Sequence, residues 1–302
     1  MWQSLLNFKM IFFSILIDAL PFILISVIVS SFLHNFISEK LIQKILPANK
    51  IYSILLACFL GAIFPICDCG TVPIVKKLIQ KGVPAYSAIA FMLAAPIMNP
   101  LTIFSTFYAF NSWEIALVRV TTALFVAYNA SWIISKSFKQ TVLKNALTIS
   151  QHDSSCCCHM HTVLPTTLIG KVLVFVYDAS NEFFEMGRFL VLGSFLSTIA
   201  QLCIPHATLL NIGHNPFFPV IVMILFAFLI SVCSSADAFI AASFISSFST
   251  EALIAFTVFG PMIDIKNTLM LLHTFRTKFV VFLITIVFIL TFLGSYIMTN
   301  LF

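Results

Sequence analysis

Cysteine and aspartate lie close together in two apolar stretches of this chain, FPICDCGTVP at 64–73 and SVCSSADAF at 231–239. Thiolate sulfur binds soft, thiophilic centres, and trivalent arsenic is such a centre by analogy with the soft metals. Carboxylates beside the thiols could bind protons or positive charge. The two stretches therefore predict one soft, partly acidic site, with the candidate residues Cys67, Asp68, Cys69, Cys233, Ser234, Ser235 and Asp237. Alternatively, small Cys and Ser side chains could serve only to let helices pack closely.

The two stretches belong to an internal duplication. Each is followed by a proline with an amide or an acid three residues later, Pro96 with Asn99 and Pro261 with Asp264. Interrupted apolar segments in matching halves of a membrane protein indicate a transporter's binding site, because irregular backbone is tolerated at membrane depth only inside protein or around a cavity. We expect the substrate or the freed backbone to be bound by Asn99, Asp264 and Asn267. The residues expected to break or gate the helices are Pro65, Gly70, Pro73, Pro96, Pro100 and Pro261.

The composition places the chain in a lipid bilayer. Hydrophobic residues make up 60% of the sequence and charged residues only 9%. An aspartate costs about 2.5–3.5 kcal/mol at the centre of a membrane helix, so Asp68, Asp237 and Asp264 need a partner or a function. The first apolar run, 10–33, is too long for a signal-peptide core and predicts a retained span.

Eight apolar runs and two shorter apolar pieces define the predicted elements. A full crossing needs about 20 residues. The second and sixth runs are shorter than that and lead straight into the Cys/Asp stretches, so each predicts a hairpin that enters the membrane, breaks and returns. The runs are 10–33, 51–66, 84–110, 114–136, 187–205, 216–233, 253–272 and 279–301, and the short pieces are 71–79 and 238–248.

Charge placement predicts the topology. Lysines flank the first hairpin and basic residues occupy the middle of the chain, whereas no Lys or Arg occurs between Arg188 and Lys266. The positive-inside rule then places the first hairpin's ends inside and the second hairpin's ends outside, with Lys266 returning inside. Glu182 and Glu185 are interpreted as a solvated helix face. The prediction is an all-α polytopic membrane protein of two inverted repeats, 1–136 and 168–302, around a cytoplasmic loop at 137–167. Eight plain crossings in two parallel halves are the alternative.

The central loop carries a second cluster of thiols and imidazoles. Adjacent cysteines do not have the spacing of structural zinc sites, so the metal-binding signal is weak. The cluster could be reduced thiols in a flexible loop or a capture site for thiophilic cargo. Its residues are Cys156, Cys157, Cys158, His159 and His161.

At these motifs the sequence resembles the bacterial predicted permeases of the ArsP/YraQ type, which include organoarsenical efflux permeases. The first-half pattern is C-x-C-G-x-x-P at 67–73, a lysine-rich turn, and A-x-P-x-x-N-P at 94–100. The second-half pattern is C-S-x-A-D-A-F at 233–239, then G-x-M-x-D-x-K-N at 260–267. Asp68 departs from the family pattern, which more often has a small polar residue there. The resemblance implies export across the bacterial cytoplasmic membrane, with trivalent organoarsenicals as one family substrate.

Two function classes fit these features. The first is a permease that exports a small thiophilic solute by alternating access, or carries another small solute or a soft metal ion. The second is a membrane thiol oxidoreductase, for which a C-x-x-C motif is typical, whereas this chain has C-x-C. The sequence has no Gly-rich phosphate loop, no nucleophile elbow and no HExxH motif. We therefore expect no enzyme activity and no cofactor, a small-molecule substrate, a lipid bilayer and no nucleic acid as partners, and leave a homo-oligomer open.

Overall fold

Helices make up nearly all of the regular structure in the residues that the computed structural model describes, which are 2–36, 47, 49–63, 66, 68–138, 143, 168–203 and 218–301. Outside the helices, these residues form one isolated antiparallel bridge between Leu143 and Phe275. The predicted all-α class is confirmed. The helices are α1 Trp2–Phe36, α2 Lys50–Ile63, α3 Asp68–Gln80, α4 Ala85–Met98, α5 Pro100–Phe110, α6 Trp113–Ser137, α7 Leu168–Cys203, α8 Phe218–Ile230, α9 Asp237–Ser243, α10 Thr250–Met262, α11 Ile265–Thr274 and α12 Thr277–Leu301.

Eight helical segments correspond to the eight predicted apolar runs. Helices α4 and α5 form one candidate span, bent by 40°, and α2 and α8 are apolar but shorter than a full crossing. Five further segments in the described residues are long and apolar enough to cross a membrane. A polytopic helical membrane fold is therefore confirmed. The five are Leu6–Ile28, Trp113–Ser137, Phe175–Leu202, Thr250–Thr274 and Thr277–Leu301.

The order of the helices repeats. Helices α1 to α6 match α7 to α12 one by one, from a long first helix of 35 or 36 residues to a last helix of 25 residues in each half. Short apolar helices α2 and α8 lead to the two breaks that carry the Cys/Asp stretches. Matched helices also contact each other across the halves, α1 with α7, α4 with α10 and α6 with α12.

Matched helices α1 and α7 run in opposite directions. Near the end of α1, Ser31 Oγ donates a hydrogen bond of 3.1 Å to the Phe175 carbonyl oxygen near the start of α7. Near the start of α1, the Phe12 ring lies 6.4 Å from the Phe195 ring near the end of α7. Two helices related by an axis in the membrane plane must be antiparallel in this way.

Helices α6 and α12 show the same antiparallel pairing. Phe138, just after α6, packs its ring 5.3 Å from the ring of Phe279 at the start of α12. Further along, a Cβ at Gly294 of α12 would lie 3.1 Å from Phe125 of α6. The inverted arrangement across the membrane remains a prediction, and it has a direct test.

We expect exposed positions in the two hairpin turns to face opposite sides of the membrane. Gln80 ends α3 and Thr250 begins α10, and both are exposed. Single cysteines at these positions, in a background without the native cysteines, should react with a membrane-impermeant maleimide from opposite sides. Reaction from the same side would exclude the inverted topology and favour two parallel halves.

Most of the predicted helix-breaking residues lie inside helices, which corrects the sequence prediction. Pro73, Pro96 and Pro261 lie within α3, α4 and α10, where packed neighbouring helices tolerate a missing backbone donor. Gly70 also lies within α3, and a Cβ there would collide with Ser26 of α1. Gly70 therefore allows close helix packing instead of breaking the helix.

Candidate functional site

The two Cys/Asp stretches come together at one cavity of about 340 Å³. Asp68 and Cys69 at the start of α3 line one part of it, and Val232 and Cys233 after α8 line another. The amino-terminal half of α1, with Asp18, lines a further part. One break from each half of the chain therefore lies at a shared cavity.

The first break supplies an acid and a thiol. Asp68 and Cys69 are both buried, with 2% and 3% of their surface exposed. The Cys69 thiol lies 3.6 Å from Asp68 Oδ2, to which it can donate a hydrogen bond. Asp68 is the first residue of α3, where the helix dipole favours negative charge. Cys67 and Pro65, which the sequence also assigns to this break, lie outside the described residues.

The second break has an irregular backbone that side chains of α7 hold in place. Ser197 Oγ and Gln201 Nε2 donate hydrogen bonds of 2.6 and 2.7 Å to the Ile230 carbonyl oxygen, which the end of α8 leaves without a helical partner. Ser231 then adopts a left-handed conformation with φ of 51°. Cys233 follows, half-buried, with its sulfur 3.7 Å from Ser235 Oγ. A non-glycine residue held in this conformation is typical of functional sites.

Asp237 of the second break is bound by a buried arginine. Arg119 of α6 is 1% exposed and donates from one nitrogen to both carboxylate oxygens of Asp237, each at 3.0 Å. The same nitrogen lies 3.2 Å from the Ser234 carbonyl oxygen, and Nη1 donates to Thr106 Oγ1 at 2.6 Å. Asp237 thus has the partner that burial requires, and this partner comes from the first half of the chain.

Lys266 of α11 is a second buried cation and lines the cavity. Its Nζ lies 3.6 Å from Asp264 Oδ2, and its ammonium lies within electrostatic range of Cys69, Asp68 and Cys233. The positive-inside rule assigned Lys266 to the cytoplasmic side, and the structure shows that its side chain is buried at the cavity, 3% exposed. An ammonium at this point stabilises negative charge on the thiols of both breaks and on the Asp68 carboxylate of the first.

Gly193 of α7 makes room for Lys266. A Cβ at Gly193 would lie 2.8 Å from Lys266 Cα and 3.0 Å from its Cγ, closer than packed atoms allow. Helices α7 and α11 therefore approach each other closely at this point. We expect the position of the ammonium to depend on this contact.

The predicted amide and acid residues hold helix ends. Asn99 Oδ1 accepts a hydrogen bond of 3.0 Å from the Leu101 amide at the bend between α4 and α5. Pro100 occupies the first turn of α5, where its missing N–H costs nothing. Asp264 caps α11 by accepting 2.6 Å from the Asn267 amide, and Asn267 Nδ2 donates to the Met262 carbonyl at 3.3 Å. These side chains stabilise the bend between α4 and α5 and the start of α11, where Lys266 lines the cavity.

Not every predicted binding residue lines the cavity. Asp68, Cys69 and Cys233 do so, whereas Ser234 and Asp237 contact Arg119 of α6. Within the described residues, no group of three or more His, Cys, Asp or Glu side chains could hold a metal ion. The loop cluster of Cys156, Cys157, Cys158, His159 and His161 lies outside those residues. Cys58 and Cys69 are buried, and Cys233 is half-buried.

Arg119 and Lys266 are the site residues that the sequence reasoning missed. An arginine inside the apolar run 114–136 is itself a signal, because a charged residue within a membrane span is costly and usually functional. Lys266 follows Asp264 by two residues within a motif already identified as part of the duplication. Use of Lys266 only as a marker of the cytoplasmic side, by the positive-inside rule, concealed its place in the site.

Comparisons with known proteins agree on one family. The family described as ArsP_1, predicted permease, matches residues 4–300. The UPF0718 protein YcgR of Bacillus subtilis is 42% identical over 294 residues, covering 97% of each chain. A Streptococcus mutans protein named "Putative two-component membrane permease complex subunit" is 40% identical, covering 92% of this chain and 90% of that protein. The UPF0718 protein YraQ of Escherichia coli is 22% identical over 46% of this chain and 39% of its own length. No solved structure matches.

Proposed function

The chain belongs to the ArsP_1 family of predicted permeases, and from that premise we propose that it exports a small thiophilic solute, specifically a trivalent organoarsenical, by alternating exposure of the cavity between its two breaks. A multi-pass membrane protein of a permease family moves solutes, so no covalent conversion of the substrate is required. Transport across the bacterial cytoplasmic membrane is part of the proposal.

The observation that carries the proposal is the pair of thiols at one cavity. Cys69 comes from the first break and Cys233 from the second, so a soft centre bound by both would connect the two halves of the protein. Lys266 lies within electrostatic range of both sulfurs. It would stabilise the negative charge that each sulfur acquires as it becomes a ligand. Cys67 would provide a further thiol at the first break.

Binding of the solute to the two thiols requires no oxidant or reductant. Methylarsenite carries two hydroxyl groups on arsenic, and each protein thiol replaces one of them to form an arsenic–sulfur bond. The two thiol protons leave with the two hydroxyl groups as water. The reverse reaction releases the solute on the other side, so that reversible ligand exchange is sufficient for transport.

The cavity's acids suggest how export could be coupled to a gradient. Asp68 and Asp18 both line the cavity, and Asp264 pairs with Lys266 at its edge. We propose that Asp68 is the acid through which export is coupled to a gradient, because Asp237 is already engaged by two hydrogen bonds from Arg119.

A second protein is a further part of the proposal. The streptococcal relative is named as one subunit of a two-component membrane permease complex. We extend this to the present chain, which would form the membrane pathway while a second component completes the permease.

Everted membrane vesicles that contain the protein are expected to accumulate methylarsenite when energised. Cys69→Ser and Cys233→Ser should each lower the accumulation by at least about tenfold. Loss of a residue that only supports a metal ligand already lowers affinity by about that factor, and these two cysteines would be ligands themselves. Cys58→Ser is the matched control, since the buried Cys58 thiol contacts the Ala90 carbonyl and not the cavity.

The outcomes of this assay test the proposed substrate and the proposed mechanism separately. A protonophore should abolish accumulation if Asp68 couples export to protons. Wild-type accumulation in both Cys69→Ser and Cys233→Ser would contradict the soft-ligand site. Failure to accumulate any trivalent arsenical would contradict the proposed substrate.

A further inference from the structure

Five charged or ionisable side chains form a network away from the cavity. Lys76 Nζ lies 3.3 Å from Glu185 Oε1, Lys77 Nζ lies 3.4 Å from Glu182 Oε2, and His273 Nδ1 lies 3.5 Å from Glu185 Oε1. We call these residues the charge network. The sequence interpretation as a solvated face is wrong for Glu182, which is 6% exposed, whereas Glu185 is paired but 30% exposed.

The charge network and the cavity are joined by the same three helices. Helix α3 begins at the cavity with Asp68 and reaches Lys76 eight residues later, about 12 Å along the axis. Helix α11 runs from Lys266 to His273, about 10 Å. On α7, Glu185 precedes the Lys266-contacting Gly193 by eight residues, again about 12 Å. On α3 and α11 the network therefore lies about 10–12 Å beyond the cavity, and on α7 it lies about the same distance from the contact with Lys266.

The ion pairs connect the two halves of the chain. Helix α3 belongs to the first half and α7 and α11 to the second, and α3 contacts both. Glu182 is 6% exposed and Lys77 15%, so this pair is better shielded from water than an ordinary surface pair. Any movement of one half against the other that separates α3 from α7 must break these contacts.

We propose that the charge network is the gate that closes the path between the cavity and the membrane face on which the turn after α3 lies. That turn contains Lys81, so the positive-inside rule makes this face cytoplasmic. The proposal depends on the protein being a transporter but not on the identity of its substrate. With the pairs formed, the cavity is closed to this face, and with the pairs broken, it opens.

Charge reversal tests the gate without any arsenical. In a full-length variant in which Cys233 is the only cysteine, the rate of reaction with a membrane-impermeant maleimide reports access to the cavity from each side. Lys77→Glu and Glu182→Lys should each raise the rate from the Lys81 side by at least about fivefold, the lower end of typical coupling between sites. The double variant, Lys77→Glu with Glu182→Lys, restores an ion pair and should return the rate to its starting value.

Lys50→Glu is the matched control, because Lys50 is an exposed lysine at the start of α2 and should leave the rate unchanged. If the single variants only loosened the fold, the reaction rate would rise from both sides of the membrane, and the double variant would not restore it. Either result would contradict the proposal that the charge network is a gate. Unchanged rates in both single variants would overturn it as well. Since the readout is cysteine reaction, a failed methylarsenite assay leaves this test intact.

Discussion

Replacement of Arg119 by methionine is expected to destabilise the protein by about 3–5 kcal/mol, because it leaves the Asp237 carboxylate buried without its cation. The guanidinium is 1% exposed and also serves the Ser234 carbonyl, so the second break loses charge compensation and a backbone contact together. The amount of folded protein in the membrane and its thermal midpoint after extraction in mild detergent should both fall.

A second substitution separates the charge effect from the loss of packing. Arg119→Met combined with Asp237→Asn removes both charges and should recover much of the lost stability, since a buried pair is often worth little more than neutral residues of similar size. Lys278→Met, at an exposed lysine of α12, should change neither measurement. Equal destabilisation by the single and double variants would show that the ion pair is not what holds the second break.

The helical segments could be predicted from sequence because the bilayer imposes length and polarity so strongly. All eight apolar runs correspond to helices, and both short runs end where the Cys/Asp stretches begin. The duplication could be predicted as well, since an alignment of the two halves of the sequence is enough to show the matched motifs. The meeting of Cys69 and Cys233 at one cavity follows from that symmetry.

The partners of the acids could not be predicted from spacing. Arg119 and Asp237 are far apart in the chain, and nothing local to either residue shows which helix face will meet which break. The prediction that prolines break the helices failed for a related reason. A proline breaks an isolated helix, but Pro73 and Pro261 are buried among packed helices, which can satisfy the freed carbonyl groups.

The two breaks are stabilised in different ways, although the motifs around them match. A cation from the opposite half faces each break: Arg119 faces Asp237, and Lys266 lies near Asp68. The arginine makes two hydrogen bonds to its acid, whereas the lysine lies at 3.6 Å from Asp264 and lines the cavity. We therefore expect the contact between Arg119 and Asp237 to stay fixed during transport. We expect the Lys266 side chain to move when the solute binds.

Replacement of Gly193 by alanine is expected to lower transport by about tenfold while leaving the protein in the membrane. The added methyl group would lie 2.8 Å from Lys266 Cα, so α7 and α11 must separate and carry the ammonium away from the thiols. Overpacking of this kind costs about 1–3 kcal/mol, and 1.4 kcal/mol is a factor of ten in rate. Lys266→Met should produce a similar loss by removing the ammonium itself.

Helix α7 provides its own control for this prediction. A Cβ at Gly187 would meet no atom within 4 Å, so Gly187→Ala adds the same methyl group without a clash. It should leave transport unchanged and stabilise the helix by about 0.5–1 kcal/mol, as alanine does relative to glycine inside a helix. Methylarsenite uptake in everted vesicles, normalised to protein amount, compares the two variants. If Gly193→Ala transports as well as Gly187→Ala, the close approach of α7 to Lys266 does not position the site, and the ammonium reaches the thiols without it.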